Sequence, residues 1–409
     1  MSASAKQIGP GLATAIVAGN MIGSGVFLLP AVLAKTGSAS LIAWGVAAIV
    51  AVSLALVFAL LGAIRGEGGE SLTDYPGTAF HPALGFLAWA AYWAGCVIGN
   101  VAVVIVAVGY GAAIFGVDLG SGARLLVLLV TIWALAACAM AGPRFVGRMS
   151  SATLAIGLAP IAAAILIGFA GFDLNLFTAS WNVSGAPLSE ALPPTLLTIF
   201  WAFLGLESAN AIARSVRQPK RNIALAAAGG AGIAAIIYAL ATAALFGLVP
   251  AAELAKSTAP FADAVSGVAG SWAGIIVAAA AFARTLGCGA GWILVAAETG
   301  QTGARRGFLP KFVSSPGESA APVRDVIFTA ALMSLVALMT LTPDLVAQFS
   351  LIADFTVYVF LLIYAVCGLA LVRFARGFAQ DWLKWAARGI GAFGMLSSLW
   401  IAWAAFTGG

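Results

Sequence analysis

Apolar runs, each close to the length that crosses a lipid bilayer, fill almost the whole chain, and polar residues are confined to short stretches between them. A helix rises about 1.5 Å per residue, so about 20 apolar residues cross the hydrocarbon layer. On that measure eleven spans are predicted, at about 9–34, 41–64, 83–113, 122–141, 151–171, 192–213, 223–249, 266–300, 325–342, 346–372 and 389–406. The stretches between them are glycine-rich and polar, and none is long enough for a soluble domain. A single all-α transmembrane domain over residues 1–409 is expected. The amino terminus carries one lysine and runs straight into the first span, so that span is read as a retained helix and not a cleaved signal.

Composition sharpens the class. Of 409 residues, 62% are hydrophobic and 9% charged, and mean hydropathy is +1.05, which excludes a soluble protein. With the amino terminus in the cytoplasm, sixteen Lys and Arg fall on cytoplasmic stretches, among them Arg65, Arg144, Arg217, Arg306 and Arg376. Only Lys35, Arg124 and Lys256 fall outside, and Arg284 lies within a span. This bias points to a multi-pass protein with its amino terminus in the cytoplasm. It also accounts for the net charge of +5 through an anionic leaflet, with no nucleic-acid partner. The four cysteines, Cys96, Cys138, Cys288 and Cys367, sit apart in apolar segments and read as small core residues, not disulfides or metal ligands. His81 reads as a loop residue at a span edge.

Two spans carry interruptions. Gly23 and Gly25 flank Ser24 at mid-span in the first, and Gly205 stands close to Glu207 in the sixth. Glycines so placed weaken a helix, and unwound backbone is tolerated in hydrocarbon only where it lines a protein cavity. Matched breaks five spans apart are what two inverted five-helix repeats produce. The repeats would cover 9–171 and 192–372, leaving 389–406 as an extra helix.

The residues in and around these breaks resemble those of the amino acid/polyamine/organocation superfamily, and within it the arginine/agmatine antiporters. The likeness rests on Gly19-Asn20 with Gly23-Ser24-Gly25-Val26-Phe27, on Tyr92-Trp93, Cys96 and Gly99-Asn100, on Trp201, Gly205 and Glu207-Ser208-Ala209, on the run Arg217 to Asn222, and on Gly291-Trp292. It implies a LeuT-like fold with discontinuous helices 1 and 6. It further implies that Ser24 and Gly25 bind a substrate carboxylate, and that the carbonyls of Met21, Trp201 and Leu204 hold an α-amino group. Trp201 would cover the substrate stem, Trp292 would stack on a guanidinium, and Cys96, Asn100 and Thr356 would line the side-chain end. Tyr92, Glu207 and Tyr364 would act in gating or proton sensing. The loop Gly68 to Tyr75, together with Gly95 and Val103, departs from the antiporter pattern, as does a count of eleven spans where twelve are usual.

Intramembrane charges are functional candidates by default, and three stand out: Glu207, Arg284 and Asp354. Arg284 and Asp354 are expected to form an ion pair in the outer half of the membrane. The function expected is amino-acid antiport of the arginine/agmatine type, by alternating access and without sodium; the alternative is proton-coupled or exchange transport of neutral amino acids or polyamines. A channel would need a continuous polar filter, and an intramembrane enzyme a nucleophile–base pair or metal ligands; the sequence supplies neither. The partners implied are a small amino acid or amine and the lipid bilayer. A homodimer is compatible with them, and no cofactor or metal is implied. The charge bias has a direct test. A fluorescent reporter that matures only in the cytoplasm, fused after Gly409, should stay dark, and bright cells would mean a miscounted span.

Overall fold

A computed structural model describes residues 9–65, 71–207, 219–315 and 323–407, and all regular structure among them is helical. In chain order the helices are α1 Pro10–Met21, α2 Gly25–Leu33, α3 Ser40–Arg65, α4 Tyr75–Ala79, α5 Pro82–Phe115, α6 Ser121–Met140, α7 Pro143–Ala170, α8 Leu174–Ala179, α9 Leu188–Phe200, α10 Pro219–Phe246, α11 Ala251–Leu254, α12 Pro260–Ala269, α13 Ser271–Arg305, α14 Val323–Met339, α15 Leu345–Phe374 and α16 Asp381–Thr407. Eight of them are long and apolar enough to cross a membrane alone, and α1 with α2 makes a ninth span bent by 51°. The chain is a multi-pass, all-α membrane protein.

The remaining two predicted spans map onto shorter elements. The sixth is α9 followed by a 3₁₀ turn, Trp201–Phe203, and its continuation at Ser208, Ala209 and Asn210 lies outside the described residues. The ninth is α14, only 17 residues long. The predicted eighth span, 266–300, is two elements. Gly270 adopts φ +87°, a conformation that side chains disfavour, and it turns the chain from α12 into the 35-residue α13. Hydropathy could not see this turn, because the residues on both sides of it are apolar. Gly68, Gly69, Glu70, Arg217 and Gln218, named above for the loop and the family pattern, also lie outside the described residues.

The long helices α5 and α13 pack along each other at the centre, with α7 and α12 on α13, α15 on α5 and α16, and α10 on α1 and α3. Small residues allow these approaches, as membrane helix packing requires. Gly157 of α7 lies against the Arg284 stem of α13, and Gly368 of α15 lies against the backbone of α16 at Gly391.

At one end of this core, the start of α4 is tied to the end of α13 by an Asp74–Arg306 ion pair of 2.5 Å. Asp74 also accepts from the Ser71 N–H at 2.9 Å and the Ser71 hydroxyl at 2.8 Å. Burial pushes the Asp74 carboxyl up, but the Arg306 and Ser71 bonds outweigh it and hold the group below its ordinary 3.8. A depressed carboxyl stabilises the fold above its unfolded pKa and loses that contribution only as pH falls through the folded value. Asp74→Asn should therefore lower the melting temperature equally at pH 5 and pH 7. The loss corresponds to about 0.5–1 kcal/mol for a partly exposed pair. Thermal denaturation in detergent checks this, and the gap from wild type should close only below about pH 4.

Candidate functional site

The first break begins where α1 ends. Ile22 leaves the helix at φ −71°, ψ 79°, and the Gly23 N–H folds back to the Met21 carbonyl at 2.7 Å. The carbonyls of a helix's last turn lack intrahelical partners and carry the negative end of its dipole. Here they are satisfied by side chains from two other helices. Arg284 of α13 donates Nε and Nη2 to the Ile22 carbonyl at 2.9 and 2.7 Å, and Nη2 also to Gly19 at 3.1 Å. The Tyr238 hydroxyl of α10 donates to Met21 at 2.7 Å. Beyond the break, Ser24 caps α2 without a side-chain bond, so the first-turn N–H groups of α2 are not capped by it.

The second break follows α9. After the turn Trp201–Phe203, Leu204 is extended and Gly205 takes φ +101°. A side chain there would be strained, and its Cβ would lie 3.1 Å from the Asn20 carbonyl, so the two breaks meet at this glycine. Glu207 lies in the same turn, and its Oε2 accepts from the Gly205 N–H at 3.1 Å and from the Tyr364 hydroxyl of α15 at 2.7 Å. Its Oε1 accepts from the Tyr92 hydroxyl of α5 at 3.2 Å. The carboxylate thus joins two helices to the break.

Between the breaks lies a recess of about 30 Å³, room for about two waters. Met21, Ser24 and Gly25 reach it from the first break, and Trp201 and Leu204 from the second. Cys96 and Asn100 reach it from α5, Trp292 from α13 and Thr356 from α15. The structure thus brings together every residue expected to contact substrate. Trp201 is braced edge-on by Phe349, with ring centroids 5.6 Å apart. Asn100 donates Nδ2 to the Gly289 carbonyl at 3.1 Å, while its Oδ1 is buried and has no partner. Trp292 also lines a second, larger cavity of about 480 Å³, which contains Glu207 and Tyr92 and opens beside Ser71 and Thr302. The indole stands between recess and vestibule. On the other side, Phe27 is fully buried against Tyr110 and Phe261, and the Tyr110 hydroxyl donates to the Phe27 carbonyl at 2.8 Å.

Three expectations need correction. Arg284 and Asp354 do not pair: Nε and Nη2 of the guanidinium bind the carbonyls that end α1. Asp354 accepts instead from Thr198 of α9 at 2.7 Å and from Ser350, one turn back on α15, at 3.0 Å. The end of a half-helix offered Arg284 negative charge nearer than a carboxylate on α15 could. Second, the Met21 carbonyl already accepts two hydrogen bonds, its two lone-pair positions, so it could hold an ammonium only by releasing one. Third, Cys288, expected only as a small core residue, also lines the recess beside Cys96, which was expected there. Phe360 was missed. It fills the space that a side chain at Gly95 would need and so narrows the end of the recess. Its spacing of four from Thr356, like that of Cys288 from Trp292, was the signal available, because residues four apart share a helix face.

The model of one family, described as amino acid permease, matches residues 11–408 of the chain. The chain belongs to the amino acid permease family. The permease is 34% identical over 371 residues to the putrescine transporter PotE of Haemophilus influenzae, covering 91% of this chain and 85% of that protein. PotE of Escherichia coli is 34% identical over 353 residues, covering 86% and 80%. A cadaverine/lysine antiporter of Escherichia coli is 34% identical over 341 residues, covering 82% and 76%. These relatives agree with the superfamily resemblance and with a transporter's broken helices.

The permease's use of Arg284 as a buried clasp has a measurable consequence. Arg284→Met removes the donors to two buried carbonyls, at a cost of roughly 2–4 kcal/mol. Arg284→Lys keeps the charge but loses the forked geometry. Thermal melts in detergent should place methionine well below lysine, and lysine below wild type.

Proposed function

We propose that this permease is an antiporter exchanging a basic amino acid for the amine left by its decarboxylation. Arginine with agmatine is one such pair, and lysine with cadaverine another. The observation that carries the proposal is the Asn100 Oδ1, a buried acceptor without a partner in a recess walled by Trp201 and Trp292. An orphaned buried acceptor favours a hydrogen-bond donor, and indole faces favour a cation. At the other end of the recess, the amino terminus of α2 favours a carboxylate. A basic amino acid satisfies both ends, and its amine satisfies the cationic one. The names of the relatives, putrescine transporter and cadaverine/lysine antiporter, fall in the same substrate class.

The two repeats, 9–171 and 192–372, would rock about this site, with Glu207, Tyr92 and Tyr364 as the gate. Sodium would have no role, because Arg284 already supplies positive charge to the carbonyls of the first break. The vestibule opens where Arg305, Arg306 and Lys311 follow α13, so we read it as facing the cytoplasm of a bacterial inner membrane.

The test is exchange in proteoliposomes loaded with radiolabelled arginine or lysine, with agmatine, cadaverine, putrescine or alanine outside. Amines and basic amino acids should drive efflux, and replacing sodium by potassium should change nothing. Trp292→Leu should weaken cationic substrates about five- to thirtyfold, the value of a desolvated cation–aromatic contact, and alanine far less. Trp201→Leu should weaken both. Equal losses for charged and uncharged substrates in Trp292→Leu would sink the assignment.

A further inference from the structure

We propose that the vestibule holds a second, transient subsite for an alkylammonium group, with Glu298 as its counter-ion. The inference rests on the amine-exchange reading and adds a binding residue to it.

The vestibule contains two carboxylates in very different circumstances. Glu207 is 8% exposed and accepts three hydrogen bonds. Glu298 is exposed to the same cavity, and among the described residues its carboxylate accepts no hydrogen bond and joins no ion pair. The nearby cations are committed elsewhere. Arg284 is bound to the α1 carbonyls, Arg305 donates to Gln301 at 2.8 Å, and Arg306 pairs with Asp74. Among the described residues, no cation pairs with this carboxylate where it faces the cavity.

Position makes this charge useful. Gly291, Val295, Glu298 and Thr302 all line the cavity, and their spacing of four, three and four defines one face of α13. Glu298 lies six residues beyond Trp292, about 9 Å along the helix. The Trp89 indole of α5, buried against Trp93, donates to the Thr299 carbonyl at 2.8 Å and so ties α5 to the turn that carries Glu298. A carboxylate that shares its cavity with the Trp292 indole suits an ammonium. One carboxylate among hydroxyls is too few charged ligands for a divalent ion.

The two carboxylates also discriminate between cargoes. A diamine can leave one ammonium on Glu298 while the other advances toward Trp292. A zwitterion must bring its own carboxylate past both acids. Glu298 thus favours loading of the diamine from the vestibule side.

Transport measured in inside-out and right-side-out membrane vesicles tests this. Glu298→Gln should raise the KM for cadaverine or putrescine about fivefold on the vestibule side only. Lysine should change less, and alanine not at all. In the wild type the diamine KM on that side should rise with ionic strength, a readout that needs no variant. An unchanged diamine KM in Glu298→Gln, an equal rise on both faces or for alanine, or a salt-independent wild type overturns the subsite and leaves the exchange reading intact. A wild type that exchanges no amine overturns both.

Discussion

An α-helix interrupted in an apolar surrounding exposes backbone donors and acceptors that water cannot reach, and each left unpaired is costly. Most of what is distinctive in this permease follows from meeting that demand. Arg284 and Tyr238 come from separate helices to serve the carbonyls at the end of α1. Gly205 brings the second break directly onto the first, and the Glu207 carboxylate takes up a backbone N–H of the unwound turn. The breaks, their partners and the recess are one construction. On the proposed reading, the uncapped amino terminus of α2 is left for a substrate carboxylate, while the carbonyls ending α1 are held by Arg284 and Tyr238.

This explains what was legible in the sequence. Glycines at 23, 25 and 205 write the breaks directly into the chain, since they mark where a helix is weak whatever surrounds it. Hydropathy located the spans because hydrocarbon thickness fixes their length. Residues expected to line one site did converge on one recess, for the breaks themselves hold α5, α13 and α15 in place around them. The turn at Gly270 stayed hidden because it interrupts the backbone without interrupting the apolar run.

Side-chain partnerships were far less legible, for a physical reason. A buried charge must be compensated, but the sequence does not say by what. Pairing Arg284 with Asp354 assumed that only a carboxylate could compensate a guanidinium. The end of a half-helix does so as well, with oriented carbonyls at 2.7–3.1 Å, and nothing in composition reports the direction of a carbonyl. The same blindness applies to Met21, whose carbonyl looked available until Tyr238 was found on it. Asp354, not paired with Arg284, accepts from the hydroxyls of Thr198 and Ser350 and so binds α9 to α15, with the charge of Lys35 nearby.

The contrast between a recess of about 30 Å³ and a vestibule of about 480 Å³ bears on how the proposed exchange would be enforced. The recess is too small for any amino acid, so its walls must part before a substrate can enter. Trp292 is the wall between the two spaces, and on the exchange reading it is also a contact for the cation. Binding and opening are then the same event, because the substrate replaces with its own surface the contacts that the aromatic walls make with one another when the recess is empty. Aromatic contacts of this kind are worth about 0.5–1.5 kcal/mol each, comparable to what a desolvated cation recovers on the indole. The empty protein has little to gain by reopening on the far side. A loaded one, whose cation already holds Trp292 against the site, can cross. Such near balance between collapsed and loaded walls lets a ligand shift the population by its differential affinity alone, and it makes the return trip depend on a second substrate.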